Sequence, residues 1–426
     1  MNRTTASFSI QHTDVCKQQM LNWANRFNIC CFLDNHQYHS QHQAVECLAA
    51  AGAVNIFSPG ENALSQLDAF SNTHHDWLFG HFGYDLKNET APLHSQHEDR
   101  IGFPDVFFFQ PETVLQLKDD TLTISCLEKD PAAVYQEISS LSITGTDESW
   151  AIPIRQKIPR SDYIATVEKL RDHILRGDCY EINFCQEFFA EDVEVDALQV
   201  YRRLTAISPN PFSCFYKLNN RYVLCASPER YLQKKGNHIL SQPIKGTFKR
   251  NALDAAADAA LKQQLQQSEK DKSENVMVVD LVRNDLSRIC EEGSVKVDEL
   301  FGVYSFPQVH QMISTVSGDL KPGITLSKII TATFPMGSMT GAPKRRVMEL
   351  IEQYEKTKRG IYSGAVGYIS PGKDFDFNVV IRSILYNAAN RYLSYLVGGG
   401  ITFYSDPGKE YEECLLKAEA IRKVLS

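Results

Sequence analysis

The chain has 426 residues, of which 43% are hydrophobic and 23% charged, a composition typical of soluble globular proteins. The net charge of −8, without a long Lys/Arg run, argues against a nucleic-acid partner, because phosphate binding needs a basic face. No apolar stretch approaches the length of a membrane span, and the polar N-terminus lacks an apolar signal segment. We therefore expect a cytoplasmic protein without membrane or nucleic-acid partners.

The sequence contains 11 cysteines and no C-x-x-C. Several lie inside apolar runs, as Cys30 and Cys31 do. Buried, reduced thiols explain this usage better than disulfides or a zinc site.

The first 150 residues predict an N-terminal α/β portion packed on the core. A helix is predicted over 43–51, and strands over 28–33, 53–57, 105–110, 121–127 and the aromatic, Gly-punctuated segment 76–84. Residues 129–160 contain three prolines and a Ser/Thr/Gly/Asp cluster, typical of a connection. Residues 151–426 then form the larger portion.

Strands and helices are interspersed in this larger portion as well. Helices are predicted over 161–176, 252–267, 272–286, 345–356 and 410–425, and strands over 179–187, 212–217, 222–226, 360–369, 375–386 and 391–397. The pattern indicates an α+β fold, since it lacks regular βαβ alternation and the glycine motifs of nucleotide-binding loops.

Two acidic pairs lie on predicted helices. Glu410 and Glu413 share a helix face with Lys417, and Asp271 and Glu274 open an apolar helix. Each pair also has an alternative explanation. On the last helix, a glutamate could form a surface ion pair with Lys417, and Asp271 could simply cap its helix through the pattern Ser268-x-x-Asp271. Together the helices would supply the oxygen ligands that Mg²⁺ prefers.

Several groups suit an anionic substrate. Gly398, Gly399 and Gly400 end a predicted strand and can present backbone N–H groups, and Arg382 lies within the predicted strand 375–386. Ser338 lies in a Gly/Ser/Thr loop that leads into a helix N-terminus. Turns, strand ends and helix starts remain alternative explanations.

Lys245 lies in the run Gln242-Pro243-Ile244-Lys245-Gly246-Thr247, which predicts a strand and a Gly-Thr turn. Beside apolar walls and a metal, such a lysine can lose its proton and become a nucleophile. Alternatively, Lys245 is a solvated lysine at the edge of a strand. Glu229, in Ser227-Pro228-Glu229, is a further candidate for the site, and its alternative explanation is a turn residue.

Ordered motifs over residues 157–426 resemble the chorismate-utilising enzymes, a family with anthranilate, aminodeoxychorismate, isochorismate and salicylate synthases. They include Gly177-Asp178-Cys179-Tyr180-Glu181, Pro243-Ile244-Lys245-Gly246-Thr247, Lys270-Asp271-Lys272-Ser273-Glu274, Ser338-Met339-Thr340-Gly341-Ala342-Pro343-Lys344 and Gly398–Gly400 followed by Glu410–Lys417. The resemblance implies large mixed sheets in a layered sandwich with helices outside, and chorismate binding by residues 151–426.

The resemblance also implies roles for the candidate residues. Glu274 and Glu413 would bind Mg²⁺, with Asp271 and Glu410 as further metal residues. Glu229 would be the general acid at the C4 hydroxyl, and Thr247 and Ser338 would line the pocket. The substrate carboxylates would be held by Tyr362, Arg382, Gly398, Gly399, Gly400 and Lys417.

Lys245 stands where the anthranilate branch usually has Ala and the 4-amino branch Lys. We therefore expect 4-amino-4-deoxychorismate as product, for p-aminobenzoate and folate, with ammonia from a separate glutamine amidotransferase subunit. Two residues depart from the family: Glu181 replaces Gln, and Gln311 replaces His. Anthranilate synthesis and a non-catalytic chorismate-binding subunit remain the alternatives.

Overall fold

The structure is a computed structural model that describes residues 3–38, 46–91, 93–143, 150–251, 253–306 and 308–426. Its strands are β1 (Thr4–Ser9), β2 (Ile29–Asp34), β3 (Cys47–Ala51), β4 (Asn55–Phe57), β5 (Leu78–Phe82), β6 (Val106–Gln110), β7 (Thr113–Lys118), β8 (Thr121–Cys126), β9 (Arg155–Gln156), β10 (Glu181–Ala190), β11 (Phe212–Leu218), β12 (Arg221–Ser227), β13 (Arg230–Lys235), β14 (His238–Gln242), β15 (Ile244–Lys249), β16 (Lys296–Ser305), β17 (Val309–Asp319), β18 (Gly341–Ala342), β19 (Ala365–Ile369), β20 (Phe375–Asn378), β21 (Ser383–Asn387) and β22 (Tyr392–Ile401).

The helices connect these strands and cover the sheets. They are α1 (Thr13–Asn25), α2 (Ala63–Thr73), α3 (Lys87–Thr90), α4 (Pro131–Ser139), α5 (Arg160–Leu175), α6 (Ala197–Ile207), α7 (Ala255–Gln267), α8 (Glu269–Ser287), α9 (Leu326–Thr333), α10 (Lys344–Tyr354), α11 (Pro407–Lys417) and α12 (Glu419–Leu425), with short 3₁₀ turns at Tyr84–Leu86 and Gly337–Met339. None of the helices in the described ranges is both long and apolar enough to cross a bilayer.

Two large sheets organise the described residues. The first has 12 strands in the order β1-β8-β7-β3-β2-β11-β12-β21-β22-β10-β18, with β9 on β10. The second has 10 strands in the order β15-β17-β14-β13-β20-β19-β5-β6-β4, with β16 on β17. The α+β class is confirmed, but the sheets are not mixed, because every pairing in the described ranges is antiparallel.

Alternating side chains of the first sheet build two apolar layers. On β2, Cys31 joins the cluster that contains Phe79 and Phe377 of the second sheet, whereas Phe32 joins the cluster that contains Trp23 of α1. Because successive side chains of a strand point to opposite faces, one face of this sheet meets the second sheet and the other meets helices. The result is a layered sandwich with helices outside, as expected.

Both sheets contain strands from the first 150 residues. β1, β2, β3, β7 and β8 belong to the first sheet, and β4, β5 and β6 belong to the second. The proposed division near residue 150 stays a prediction. All 11 cysteines are buried and free, which agrees with the expectation of reduced thiols.

Two predicted elements were wrong, and a helix lies within the predicted connection 129–160. Residues 47–51 of the predicted helix 43–51 form β3, because pairing with β2 and β7 overrides the helix propensity of three alanines; residues 43–45 lie outside the described ranges. The connection 129–160 contains α4, which Asp130 caps through its side chain. The predicted strand 375–386 is two strands, interrupted at Arg382, whose φ is +53°.

Candidate active site

A cavity of about 560 Å³ lies where β10 and β22 of the first sheet face β15 and β17 of the second, beside α8 and α11. Every sequence-predicted site residue lines this cavity except Gly399 and Glu410: Glu229, Lys245, Thr247, Asp271, Glu274, Ser338, Tyr362, Arg382, Gly398, Gly400, Glu413 and Lys417. Residues separated by up to 188 positions in the chain, from Glu229 to Lys417, thus meet at one site.

A strand irregularity turns Lys245 into the cavity. The pairing of β15 with β17 shifts register between Ile244 and Thr247, so the expected Gly-Thr turn is a bulge within the strand. Gly246 has φ +91°, and a Cβ there would lie 2.9 Å from Asp271 Oδ1. Glycine is therefore required both for the backbone conformation and for the approach of α8.

Lys245 is buried, which excludes the alternative of a solvated strand-edge lysine. Its Nζ donates a hydrogen bond to Glu181 Oε1. Burial alone lowers the pKa of Lys245, but the carboxylates of Glu181, Glu274 and Glu229 outweigh burial and raise the pKa above its usual value. The expectation that the amine loses its proton beside a metal stays a prediction, since these carboxylates by themselves favour the ammonium form.

Glu229 is a buried carboxyl opposite this amine. It follows β12, and its Oε1 accepts a 2.6 Å hydrogen bond from Ser338 Oγ. Burial raises the pKa of Glu229 from 4.5 to about 7, although Ser338 and Lys245 both favour the charged form. A carboxyl with this pKa can hold a proton near neutral pH and release it to a leaving group.

The two acidic helices converge beside the cavity, as expected. Glu274 on α8 is buried, and its Oε1 has no hydrogen-bond partner in the described part of the chain. Lys270 Nζ lies 3.7 Å from Glu274 Oε1 and 3.4 Å from Glu410 Oε1, so a cation already sits between the helices. Burial raises the pKa of Glu274 to about 7, against the effect of Lys245.

The capping alternative for Asp271 is partly confirmed. Ser268 is the N-cap of α8, and its Oγ accepts a 3.3 Å hydrogen bond from the Asp271 backbone N–H. The Asp271 carboxylate itself lies beside Gly246 and lines the cavity. Asp271 is therefore available to the site as well as part of the helix start.

On α11, Lys417 Nζ lies 2.9 Å from Glu413 Oε1 and donates a 3.0 Å hydrogen bond to Gly398 O. Lys417 is the main reason why the pKa of Glu413 falls to about 2, and Lys270 and Lys245 act in the same direction. Glu413 is thus ionised at neutral pH, although its carboxylate is engaged by Lys417.

The donor set fits Mg²⁺. Within the described ranges, no three His, Cys, Asp or Glu side chains are already grouped as a metal site. Mg²⁺ needs only one or two protein carboxylates, however, and completes its shell with water and substrate oxygens. Glu274 Oε1 accepts no hydrogen bond from the described residues but lies 3.7 Å from the Lys270 ammonium, and Glu413 is ionised, so a cation is favourable here.

Arg382 and Tyr362 also line the cavity. Arg382 lies between β20 and β21, not within a strand, and its guanidinium donates a 3.2 Å hydrogen bond to Lys417 O. Tyr362 is buried, with its hydroxyl 3.7 Å from Cys185 Sγ. Thr247 pairs with Gln311 across β15 and β17.

The three glycines lie inside β22, near its end, rather than after it. Cys185, Phe184 and Asn183 of β10 pair with them on one edge, whereas β21 reaches only Ser394 on the other. A Cβ at Gly400 would lie 2.5 Å from Glu181 Oε1 and 2.7 Å from Lys245 Nζ. Glycine at this position therefore makes room for the buried ion pair.

Gln311 and His310 lie on opposite faces of β17, as expected. Gln311 lines the cavity, and its Oε1 has no hydrogen-bond partner among the residues described. His310 instead contacts Asp258 at 3.0 Å and Ser305 at 2.9 Å. The adjacent histidine thus does not replace the one that the family usually has at position 311.

One buried ion pair that supports the site was not predicted from the sequence. Arg359 lies 2.6 Å from Glu355 and donates hydrogen bonds to Asn183 O at 2.8 Å and Met339 O at 2.7 Å, while Glu355 accepts one from Cys185 N–H at 2.9 Å. The pair therefore ties β10 to the loop that carries Ser338. An i,i+4 Glu–Arg pair was visible in the sequence, but such pairs are usually exposed.

Comparisons with known proteins agree with this geometry. Residues 27–423 match the family model described as chorismate binding enzyme. The chain is 35% identical over 348 residues to "Aminodeoxychorismate synthase component 1" of Klebsiella aerogenes, covering 80% of this chain and 75% of that protein. It is 42% identical over 269 residues to "Probable aminodeoxychorismate synthase, chloroplastic" of Oryza sativa subsp. japonica, which is 62% of this chain but 30% of that protein.

A solved structure shows the same architecture. It is that of anthranilate synthase component I from Streptococcus pneumoniae TIGR4, with a TM-score of 0.77 and 27% identity over 90% of this chain and 95% of that chain. The family model covers nearly the whole sequence and includes every residue of the cavity named above. The chain therefore belongs to the family of chorismate binding enzymes.

Proposed function

We propose that the chain aminates chorismate at C4 to give 4-amino-4-deoxychorismate, the precursor of p-aminobenzoate for folate synthesis. The observation that carries this proposal is the position of Lys245, whose buried amine lines the cavity opposite a protonatable Glu229. The relatives named aminodeoxychorismate synthase support the same reaction.

Lys245 would act as the nucleophile. Its amine attacks C2 of the ring while the hydroxyl leaves from C4, and ammonia then enters at C4 and expels the lysine. Glu229 supplies the proton that converts the departing hydroxyl to water, and its pKa of about 7 keeps that proton available near neutral pH. Direct addition of ammonia at C2 would give the 2-amino product instead.

The remaining residues would bind and orient the substrate. Arg382, Lys417, Tyr362 and the Gly398–Gly400 backbone suit the two carboxylates of chorismate, and Thr247 and Ser338 shape the wall. Mg²⁺ would be held by Glu274 and Glu413, with Asp271 and Glu410 nearby, and when bound it would neutralise and orient the ring carboxylate.

Ammonia would come from a glutamine amidotransferase subunit. The "component 1" in the name of the Klebsiella aerogenes relative implies a partner component for that protein. The proposed amination consumes ammonia. We therefore propose a separate glutaminase as the partner of this chain.

The test is to incubate the purified protein with chorismate, Mg²⁺ and an ammonium salt, and to identify the product by chromatography and mass. We expect 4-amino-4-deoxychorismate. Anthranilate as the product would overturn the C4 assignment in favour of the anthranilate branch, and binding of chorismate without turnover would indicate a non-catalytic subunit.

A further inference from the structure

A lysine side chain is ordinarily protonated at neutral pH, yet an amine must be neutral when it attacks as a nucleophile. The reaction proposed above therefore needs a group that removes one proton from the ammonium. The nearest candidate lies next to Nζ, because the amine is mostly buried and a carboxylate already hydrogen-bonds to it.

Four carboxylates face Lys245, each from a different part of the fold: Glu181 on β10, Glu229 between β12 and β13, Glu274 on α8 and Glu413 on α11. Three of them have other partners. Glu229 accepts a hydrogen bond from Ser338, Glu413 pairs with Lys417, and Glu274 lies near Lys270. Glu181 is the one that hydrogen-bonds to Nζ in the described part of the chain.

Glu181 is built into the fold behind the amine. It is only 1% exposed and does not line the cavity, so it touches Lys245 rather than the substrate space. Its Oε1 accepts from Nζ, whereas its buried Oε2 has no hydrogen-bond partner among the described residues. The side chain therefore has an unused acceptor in the place where a proton must go.

Two glycines keep Glu181 in this position. Gly341 has φ +142°, and β18 pairs there with the first residues of β10, Glu181 opposite Ala342 and Ile182 opposite Gly341. On the other side, Gly400 leaves the space in which the carboxylate and the amine meet. The backbone on both sides thus fixes the start of β10 and the direction of the Glu181 side chain.

We propose that Glu181 is a positioning residue that holds the Nζ of Lys245 at the cavity wall and accepts the proton that this amine loses before it attacks chorismate. The inference rests on the proposed C4 amination. It also explains why this chain has Glu181 where the aminating branches of the family have glutamine. A neutral amide can position an ammonium but cannot take its proton.

The protons balance over one turnover. The Lys245 ammonium gives a proton to Glu181; the amine then forms the N–C2 bond as the C4–O bond breaks, and the Glu229 carboxyl protonates the leaving oxygen to water. Ammonia forms the N–C4 bond as the N–C2 bond to Lys245 breaks. Glu181 returns its proton to Lys245, and the new C4 ammonium returns one to Glu229. The sum is chorismate plus ammonia giving 4-amino-4-deoxychorismate plus water.

Glu181→Gln separates the two roles, because Gln keeps the size and the hydrogen-bond acceptor but removes proton acceptance. We expect kcat to fall by about 10²–10⁴-fold, with KM for chorismate within about twofold of the wild-type value. We also expect the ratio of the variant kcat to the wild-type kcat to increase with pH, since hydroxide must then remove the proton while the effect of Glu229 is common to both proteins.

A second readout does not depend on turnover. An amine-reactive acylating reagent is applied to the metal-free protein over a range of pH, and modification of Lys245 is quantified by mass spectrometry of its peptide. In Glu181→Gln we expect half-modification of Lys245 at a lower pH than in the wild type. Lys17, which pairs with Asp34 at 2.9 Å far from the cavity, is the internal control and should not shift.

Unchanged kcat and an unchanged modification profile in Glu181→Gln would overturn the inference, and so would a lower kcat with the pH dependence of the wild type. A shift of Lys17 together with Lys245 would also count against it, since it would indicate a general disturbance of the fold. If the wild type itself forms no 4-amino product, the proposed function fails, while the acylation experiment still reports on the pair.

Discussion

Ser338 Oγ donates a 2.6 Å hydrogen bond to Oε1 of Glu229, although the two residues are 109 positions apart. A hydrogen bond to the charged form of a carboxyl lowers its pKa, so this contact opposes the effect of burial. The pKa of about 7 at Glu229 is thus a balance between desolvation and a single hydroxyl, with a further contribution from Lys245.

The first prediction concerns the pH dependence of the reaction. A general acid must be protonated, so kcat should fall as pH rises through the pKa of about 7 at Glu229. Ser338→Ala removes the hydrogen bond, raises the pKa of Glu229 and should move this alkaline limb to higher pH. Glu229→Gln should lower kcat by about 10²–10⁴-fold at every pH. The measurement is kcat with ammonium as donor over a pH series.

Folding stability should fall in the same direction, as pH rises. Because burial raises the pKa of Glu229 from 4.5 to about 7, its contribution is full below about pH 4.5 and is lost as pH increases to about 7. The loss is on the order of 3 kcal/mol. Glu229→Gln should therefore be more stable than the wild type at pH 8, as measured by urea unfolding; equal stability at pH 8 would contradict the buried, uncompensated carboxylate.

The second prediction concerns Lys245. Lys245→Ala should give no detectable 4-amino-4-deoxychorismate, and Lys245→Arg should behave in the same way, because a guanidinium keeps the charge beside Glu181 but does not become a neutral nucleophile. Lys249→Ala is the matched control, since Lys249 lies on the same strand with 60% of its side chain exposed. Formation of the 4-amino product by Lys245→Ala at the wild-type rate would show that the lysine is not the nucleophile.

The third prediction concerns Mg²⁺. Glu274→Gln should weaken Mg²⁺ binding in the presence of chorismate, because it removes the buried carboxylate whose Oε1 has no hydrogen-bond partner in the described ranges. In the wild type, Mg²⁺ binding should weaken by about tenfold per pH unit below 7. The reason is that the pKa of Glu274 is about 7, so protons compete with Mg²⁺ for its carboxylate at lower pH. Calorimetric titration measures both effects without turnover.

Glu269→Gln is the control for the metal experiment. Glu269 lies on the same helix and has 87% of its side chain exposed, so its replacement should leave the affinity unchanged. A Glu274→Gln variant with wild-type Mg²⁺ affinity would remove Glu274 from the set of ligands. Chelation of Mg²⁺ should stop turnover.

The fourth prediction concerns the buried pair of Arg359 and Glu355. Arg359→Met leaves Glu355 charged and buried, which should cost about 3–5 kcal/mol of the free energy of unfolding. It also frees the loop of Ser338 from β10, so kcat should fall as well. Arg283→Ala breaks an exposed pair with Asp280 and should cost less than about 1 kcal/mol. Urea unfolding measures the free energy of unfolding of both variants. Similar losses in the two would show that the buried pair of Arg359 and Glu355 stabilises the fold no more than an exposed pair does.

Local patterns predicted the amphipathic helices and the strands that carry aromatic or β-branched residues. Helices α5 and α8 and strands β11 and β12 lie close to their predicted ranges, whereas the predicted helix 410–425 is divided into α11 and α12. β3 was missed because it is buried on all five residues and Ala-rich, so neither alternation nor propensity marks it as a strand. The break at Arg382 depends on a positive φ that its side-chain type does not signal.

By itself, the sequence identified the candidate site residues, because the motifs that carry them are ordered and resemble those of one family. Only the tertiary structure decided how those residues are charged. Glu181 is 64 positions from Lys245, and a sequence does not show which carboxylates will surround a buried amine. Since a pKa depends on burial and on charges within a few ångströms, the protonation of Lys245, Glu229 and Glu274 follows from the packing of β10, β15 and α8 rather than from any one of them.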